Sequence, residues 1–119
     1  MNENHELKEI IEVTLRRLGI NANYRGYRPL CIAIEMVIED EECLRDIIRR
    51  VYIPVAEQLH CNPHTIERNI RTVIARMWKE KKSRYQALTE SSDSLYPTSK
   101  QFIDAIAFRI RCAYSAKRR

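Results

Sequence analysis

A cluster of basic side chains in the second half of the sequence is the feature best suited to chemistry. Arginine and lysine bind phosphate groups, and the planar guanidinium of arginine can donate to two acceptor atoms at once. Between positions 60 and 84 the acidic residues are Glu67 and Glu80, and the basic residues are Arg68, Arg71, Arg76, Lys79, Lys81, Lys82 and Arg84. This composition favours contact with the phosphates of a nucleic acid. A solvated helix face is the alternative that charge alone leaves open.

The spacing of the same residues predicts a helix with one apolar face and one basic face. Over residues 64–82, Ile66 and Ile70 recur at the spacing of a buried helix stripe. At about 100° per residue, the polar residues on the opposite face fall into a central row, one residue beside that row and one residue on each flank. The row is Arg68, Thr72, Ala75 and Lys79, the neighbour is Thr65, and the flanks carry Arg71 and Arg76. We expect this face to be the contact surface.

The histidines are the other candidate groups for chemistry. His60, Cys61 and His64 are neighbours, but a zinc site needs four ligands, usually as two pairs, and the chain has no second pair at finger-like spacing. The remaining histidine, His5, lies near the N-terminus, and there is no glycine-rich phosphate loop. We therefore expect no catalytic residue, no cofactor and no metal, and hence no enzyme.

The cysteines are expected to be free thiols in a cytoplasmic protein. Cys31, Cys43, Cys61 and Cys112 form no CxxC pair, and the polar, acidic residues 1–6 do not resemble a secretory signal. Buried cysteine behaves as a small apolar residue. No apolar run approaches the roughly 20 residues of a membrane span, so we expect no membrane contact.

Length and composition restrict the architecture that positions these residues. The chain has 119 residues, of which 45% are apolar and 31% charged, with two glycines and four prolines. At roughly 100–200 residues per domain, residues 1–119 are expected to form one domain with one core. A dinucleotide-binding fold or a barrel enzyme needs a longer chain. The net charge of +5 is concentrated after residue 60, since residues 1–59 are acidic on balance.

Repeated three-to-four spacing and scarce glycine predict an all-α, six-helix domain. The predicted helices run from about Leu7 to Leu18, from Pro29 to Ile38, from Glu39 to Val51, from Pro54 to Leu59, from His64 to Lys82 and from Thr98 to Tyr114. Gly19 is expected to end the first helix, and Gly26 to adopt a positive φ in the connector at residues 20–28. Residues 83–97 are expected to be a surface loop, and Trp78 to be largely buried against the third or fourth helix.

The fourth and fifth predicted helices have the layout of a helix-turn-helix over residues 53–82. Between them, residues 60–62 form a tight turn in which Asn62 can cap the next helix and Pro63 can occupy its first position. Ala56 is small enough to let the two helices cross closely. In such a motif the second helix enters the major groove of DNA, so the basic face of the fifth predicted helix is the expected recognition surface.

Several short motifs occur in the order and at the spacing of one known family. They are Leu18-Gly19-Ile20, Gly26-Tyr27, Ala33-Ile34-Glu35-Met36-Val37, Val51-Tyr52, Glu67-Arg68-x-Ile70-Arg71 with Ile74 and Trp78, and Pro97-Thr98 with Phe102-Ile103. On these residues, and most closely over residues 52–78, the chain resembles the C-terminal DNA-binding effector domain of sporulation-initiation response regulators of endospore-forming bacteria. Each motif is weak alone, but together they are specific and extend over most of the chain.

The resemblance implies a six-helix domain that binds promoter DNA through its helix-turn-helix, often as tandem copies on adjacent sites. Such domains activate or repress transcription by contacting RNA polymerase. Glu67, Arg68 and Arg71 match recognition-helix positions that face bases or the DNA backbone. Thr72 matches a polar contact position, whereas at Thr65 the family tends to have arginine. The expected DNA-binding residues are Thr65, Glu67, Arg68, Arg71, Thr72, Arg76, Lys79, Lys81 and Lys82, with the lysines contacting phosphates.

The resemblance also bears on domain organisation. In this family a phosphoacceptor receiver domain precedes the effector domain, whereas only residues 1–6 precede the first predicted helix here. We therefore expect no receiver domain, and the chain is either an excised domain or a stand-alone regulator.

A second function from a different class fits the same basic face. The domain can be a helical protein-interaction module that binds an acidic partner such as RNA polymerase. Salt-dependent binding to duplex DNA, with a preference for one sequence over a scrambled competitor, separates the two functions.

Overall fold

The computed structural model describes residues 3–91 and 95–118, with side chains for residues 5–91 and 95–114, and this part of the chain contains helices and no strand. Its elements are α1 (Glu3–Arg17), α2 (Tyr27–Glu39), a 3-10 helix (Glu41–Asp46), a π-helical segment (Ile48–Tyr52), α3 (Ile53–Leu59), α4 (Pro63–Thr89) and α5 (Ser99–Arg118). The predicted all-α fold is confirmed. The 3-10 helix and the π segment together take the place of the third predicted helix, which gives the expected six helices in the described residues.

One apolar core lies where α5 packs against α2 and α4. Each helix turns its apolar stripe toward this core, as amphipathic spacing requires. Large side chains that are at most 1% exposed are Ile11, Leu15, Leu18, Ile20, Leu30, Ile34, Ile70, Ile74, Phe102, Ile103 and Ile106. Because the core fixes one face of α4, the opposite face of that helix is left on the outside of the domain.

The third predicted helix is irregular, and Pro54 lies in the first turn of the short helix that follows it, as predicted. Asp40 begins the 3-10 helix by accepting a hydrogen bond from the Glu42 N–H at 3.0 Å. The wider π segment ends where the Ile53 N–H donates to the Ile48 carbonyl. Pro54, which has no N–H to donate, takes the next position in α3. Since Ile53 itself has helical angles (φ −65°, ψ −49°), the chain runs into α3 without a turn.

The α4 helix is longer than predicted, because it continues to Thr89 through residues expected to form a loop. A kink marks the end of the predicted part, where Lys81 has a φ of −132° and a ψ of 28°. Beyond the kink, Tyr85 is buried and stacks on Phe102 of α5 with ring centroids 5.4 Å apart. This stacking holds the additional turns against the core, and a single aromatic residue gave too weak a period to predict them.

The α4–α5 connection is short and ends in the predicted capping box. Residues 95–98 are non-helical, as expected of the loop, and residues 92–94 of that loop lie outside the described residues. The Gln101 N–H donates to Thr98 Oγ1 at 3.0 Å, and the Thr98 N–H donates to Gln101 Oε1 at 2.9 Å. These bonds satisfy donors that the first turn of a helix otherwise leaves unpaired.

The two glycines of the chain flank the α1–α2 connector and have different roles. Gly19 has a φ of +79° and follows the end of α1 as predicted. The prediction of a positive φ for Gly26 is wrong, since its φ is −81°. A Cβ atom at Gly26 would lie 2.4 Å from the Asn69 carbonyl oxygen and 2.5 Å from Val73 Cγ2. Glycine is needed there because the connector touches the backbone of α4.

Candidate nucleic-acid interface

The connection between α3 and α4 is a tight turn with the layout of a helix-turn-helix. His60 adopts a left-handed conformation (φ 55°), and the Cys61 N–H donates to the Ala56 carbonyl at 2.9 Å. Asn62 then caps α4 as predicted, with its side-chain oxygen accepting from the His64 N–H at 2.8 Å. Ala56 is only 2% exposed, as expected of a small residue near a helix crossing. The turn fixes where α4 begins and which of its faces points outward.

The outer face of α4 carries an exposed basic stripe. Arg68, Thr72, Ala75 and Lys79 are exposed along it, and Thr65 is half-buried beside them. Within the described part of the chain, neither basic residue of this stripe forms an ion pair with a carboxylate. The Thr72 hydroxyl donates to the Arg68 carbonyl at 2.9 Å, so its lone pairs stay available as acceptors. The stripe therefore presents positive charge that is free to bind an anion.

One flank of the basic stripe is held by an ion pair. Arg71 lies 3.3 Å from a carboxylate oxygen of Glu67, one turn earlier in α4. The same carboxylate lies near Tyr52, whose pKa is raised first by burial and then by the Glu67 charge. The Tyr96 hydroxyl donates to the Arg71 carbonyl at 3.4 Å. Glu67 thus orients the Arg71 side chain and lowers the net charge of this flank.

The opposite flank is built from two separate elements. Arg76 Nε lies 3.1 Å from Glu80 Oε1, within α4. The Arg76 guanidinium carbon also lies 5.0 Å from the centroid of the Tyr24 ring, which belongs to the α1–α2 connector. Sequence reasoning missed Tyr24, because a residue in an irregular connector has no periodicity that reveals its neighbours.

The last two expected contact residues, Lys81 and Lys82, are half-buried and lie at and beyond the kink. A Cβ atom at Gly19 would lie 3.3 Å from Lys81 Cγ, so the Lys81 stem packs on the connector. Lys82 Nζ lies 5.0 Å from the centroid of the Trp78 ring. Both lysines are therefore engaged by the fold, unlike Arg68 and Lys79.

Trp78 has two aromatic neighbours that the sequence did not predict. It is partly buried, and the rings of Tyr85 and Tyr96 lie edge-on to it at centroid distances of 6.2 and 6.1 Å. Both partners come from the segment predicted to be a loop, so helical periodicity could not reveal them.

A groove of about 870 Å³ lies beside the start of α4. Ile48, Ile53 and Tyr96 line it, and each is more than one-third exposed, from 37% for Ile53 to 60% for Ile48. Sequence reasoning missed this groove, because Ile48 and Ile53 belong to an irregular segment whose faces cannot be assigned from a helical period.

The thiols and histidines are dispersed in the fold. Cys43 is buried, Cys31 is half-buried, Cys61 and Cys112 are exposed, and all four are free thiols. Burial is the main cause that raises the pKa of Cys31 to about 11. Among the described residues, no three metal-ligating side chains come together in one cluster. In that same part of the chain, every helix is too short or too polar to cross a membrane.

One protein-family model matches residues 11–110 of the chain, and its description is "Sporulation initiation factor Spo0A C terminal". The matched range contains the α1–α2 connector, α2, α3 and α4 in full, together with parts of α1 and α5. It therefore includes the turn, the basic stripe and both flanks described above, and it covers most of the chain.

Proposed function

The chain belongs to the Spo0A C-terminal family of sporulation initiation factors, and we propose that it is a transcription regulator that recognises specific promoter sequences with the outer face of α4. The family consists of DNA-binding effector domains that regulate the initiation of sporulation, and not of enzymes. Membership gives the class of ligand, which is DNA. The proposal adds recognition of a specific sequence and the residues that carry it.

The observation that most supports the proposal is the unpaired basic stripe that begins directly after the α3–α4 turn. In helix-turn-helix proteins the second helix lies in the major groove, and residues near its N-terminus contact base edges. Arg68 and Thr72 lie one turn apart in this first part of α4. A bidentate contact from arginine to guanine discriminates against the wrong base by about 1–3 kcal/mol.

We assign base contacts to Arg68 and Arg71. Glu67 orients Arg71 and is placed to accept a hydrogen bond from a cytosine amino group. Thr65 and Thr72 offer short hydroxyl groups to a base or to the backbone. Phosphate contacts are assigned to the remaining basic residues of the surface, which are Arg76, Lys79, Lys81 and Lys82. Lys79 ranks first among these lysines, because it is exposed, whereas Lys81 and Lys82 are half-buried against the connector and Trp78.

Two partners complete the proposed function. We propose that two copies occupy adjacent sites on promoter DNA in the cytoplasm, which the stoichiometry of the complex on a duplex with one or two sites would test. We also propose contact with RNA polymerase, and the exposed apolar groove at Ile48 and Ile53 supports it. The variant Ile48→Asp is expected to lower transcription in a reconstituted system while duplex affinity is unchanged.

Selection of bound duplexes from a random pool tests the central proposal. We expect one sequence motif to be enriched, and the double variant Arg68→Ala, Arg71→Ala to lose that enrichment while it retains salt-dependent binding. Enrichment of no motif by the unmodified chain would overturn sequence-specific recognition and favour the alternative, a module whose basic face binds an acidic protein.

A further inference from the structure

Arg76 is restrained by a residue that lies outside the helix-turn-helix. Its guanidinium contacts the Tyr24 ring at 5.0 Å and the Glu80 carboxylate at 3.1 Å. A guanidinium is planar and carries five N–H donors. The ring occupies a face of the group and the carboxylate takes the Nε edge, so donors on the other edges remain available for a further acceptor.

The connector that carries Tyr24 is docked along one ridge of α4. Its Gly26 end touches the α4 backbone at Asn69, and its Gly19 end touches the Lys81 side chain. Tyr24 lies between these two contacts, as Arg76 lies between Asn69 and Lys81. A cleft of only about 100 Å³ separates connector and helix at this level. The Tyr24 ring is therefore held at a fixed place beside the exposed stripe.

We propose that Tyr24 is a positioning residue that holds the Arg76 guanidinium ready to bind a phosphate of the DNA backbone, which makes the α1–α2 connector a second part of the DNA-contact surface. This inference rests on the proposed function. Ordering a long, free side chain on binding costs conformational entropy, and a side chain that is already restrained loses less of it. The ligand is a phosphodiester, so the effect is independent of base sequence.

Equilibrium binding to a short, fluorescein-labelled duplex of mixed sequence at two salt concentrations tests this role. We expect Tyr24→Leu to lower the affinity about two- to tenfold, the cost of ordering one long side chain on binding. Tyr24→Phe keeps the ring and is expected to bind like the unmodified chain. Arg76→Gln is expected to lower the affinity and to reduce the salt slope by about one. Added to Arg76→Gln, the change Tyr24→Leu is expected to have no further effect.

A second ring–guanidinium pair provides the matched control. The Arg16 guanidinium carbon lies 5.8 Å from the centroid of the Tyr27 ring, a contact that joins α1 to α2. The Tyr27 hydroxyl also donates to Glu12 Oε1 at 3.0 Å, again between these two helices. The variant Tyr27→Leu removes the same kind of contact. We expect it to leave duplex affinity unchanged in both the native and the Arg76→Gln background.

Nuclear magnetic resonance of the DNA-free protein tests the contact separately from its consequence. The Arg76 side-chain protons are expected to be shifted upfield by the ring current in the native chain and in Tyr24→Phe, and to lose that shift in Tyr24→Leu. If the chain binds duplex but Tyr24→Leu weakens binding equally with and without Arg76, or not at all, the positioning role is refuted while DNA binding stands. If the native chain binds no duplex at any salt concentration, the proposed function fails and this inference fails with it.

Discussion

The kink at Lys81 divides α4 into two parts, and the two parts have different surroundings. Residues 63–80 bury one face and leave a basic stripe outside. In residues 81–89, Tyr85 stacks on Phe102, Lys82 lies over Trp78 and Lys81 packs on the connector. Even the connector touches them differently, through Gly26 against backbone in the first part and Gly19 against a flexible lysine in the second. The unpaired Arg68 and Lys79 mark the outer face of the first part as the proposed ligand surface, whereas the Lys82 ammonium in the second part lies over the Trp78 ring.

Substitutions in the two parts of α4 are therefore expected to have different effects, one on stability and the other on DNA binding. Changes in the buried part of residues 81–89, above all at Tyr85, should alter the free energy of unfolding and leave DNA binding nearly intact. Changes on the outer face of residues 63–80 should alter DNA binding and leave stability nearly unchanged.

The largest effect is expected from Tyr85→Ala in the second part of α4. Tyr85 is 7% exposed and stacks on Phe102, so its removal leaves a cavity and should lower the free energy of unfolding by about 3–5 kcal/mol. Urea denaturation measures this change. Duplex affinity, measured well below the transition, should stay within twofold of the native value, and a larger loss of affinity would break the division. Tyr96→Ala, at a site that is 43% exposed, is the milder control.

A smaller loss of stability, together with weaker duplex binding, is expected from Gly26→Ala. The added Cβ would meet the Asn69 carbonyl oxygen at 2.4 Å, so connector and α4 must separate at a cost of about 1–3 kcal/mol. This separation displaces the first part of α4 and should weaken duplex binding. Gly19→Ala is the matched control: its cost of about 1–2 kcal/mol comes from the positive φ, and it should leave binding unchanged. Equal binding losses for the two variants would contradict the comparison.

The three lysines should separate according to their surroundings. Lys79→Ala removes an exposed, unpaired ammonium group and should lower the salt slope of duplex binding by about one. Lys81→Ala and Lys82→Ala should each lower it by less, because these side chains are packed on Gly19 and Trp78 in the free protein. Equal reductions of the salt slope by all three variants would show that the kink at Lys81 does not divide the DNA-contact surface.

The smallest expected effect is on the rate at which the exposed thiols are alkylated. Cys61 lies in the α3–α4 turn and Cys112 on α5, and both are exposed. Burial raises the pKa of Cys31 to about 11, so this thiol is not appreciably ionised at pH 8, and burial also raises the pKa of Cys43. Duplex DNA should slow alkylation of Cys61 severalfold and leave Cys112 unaffected. Protection of Cys112 without protection of Cys61 would show that DNA does not bind beside the α3–α4 turn.

Regular amphipathic segments could be predicted from the sequence, and irregular ones could not. The all-α class, the Asn62 cap, the capping box at Thr98 and the end of α1 at Gly19 follow from local chemistry. The π segment and the extension of α4 beyond Lys81 depend on tertiary packing, above all on Tyr85 against Phe102, and local periodicity does not contain that information.

The candidate site shows the same limit. Periodicity placed Arg68, Thr72 and Lys79 on one exposed face, and the structure confirms that placement. Only some of the contacts on the two flanks could be predicted: the Glu67–Arg71 pair follows from four-residue spacing, whereas the contact of Tyr24 with Arg76 joins residues far apart in the chain. Contacts of that kind require the fold.

The most direct test of DNA sequence recognition by α4 is a comparison of affinities for the selected duplex and a scrambled duplex at two salt concentrations. Arg68→Ala and Arg71→Ala should weaken binding to the selected duplex by about 1–3 kcal/mol more than binding to the scrambled one, because each removes a base contact. Lys79→Ala should weaken both alike. If Arg68→Ala and Arg71→Ala also weaken both duplexes alike, the outer face of α4 binds phosphates without reading bases.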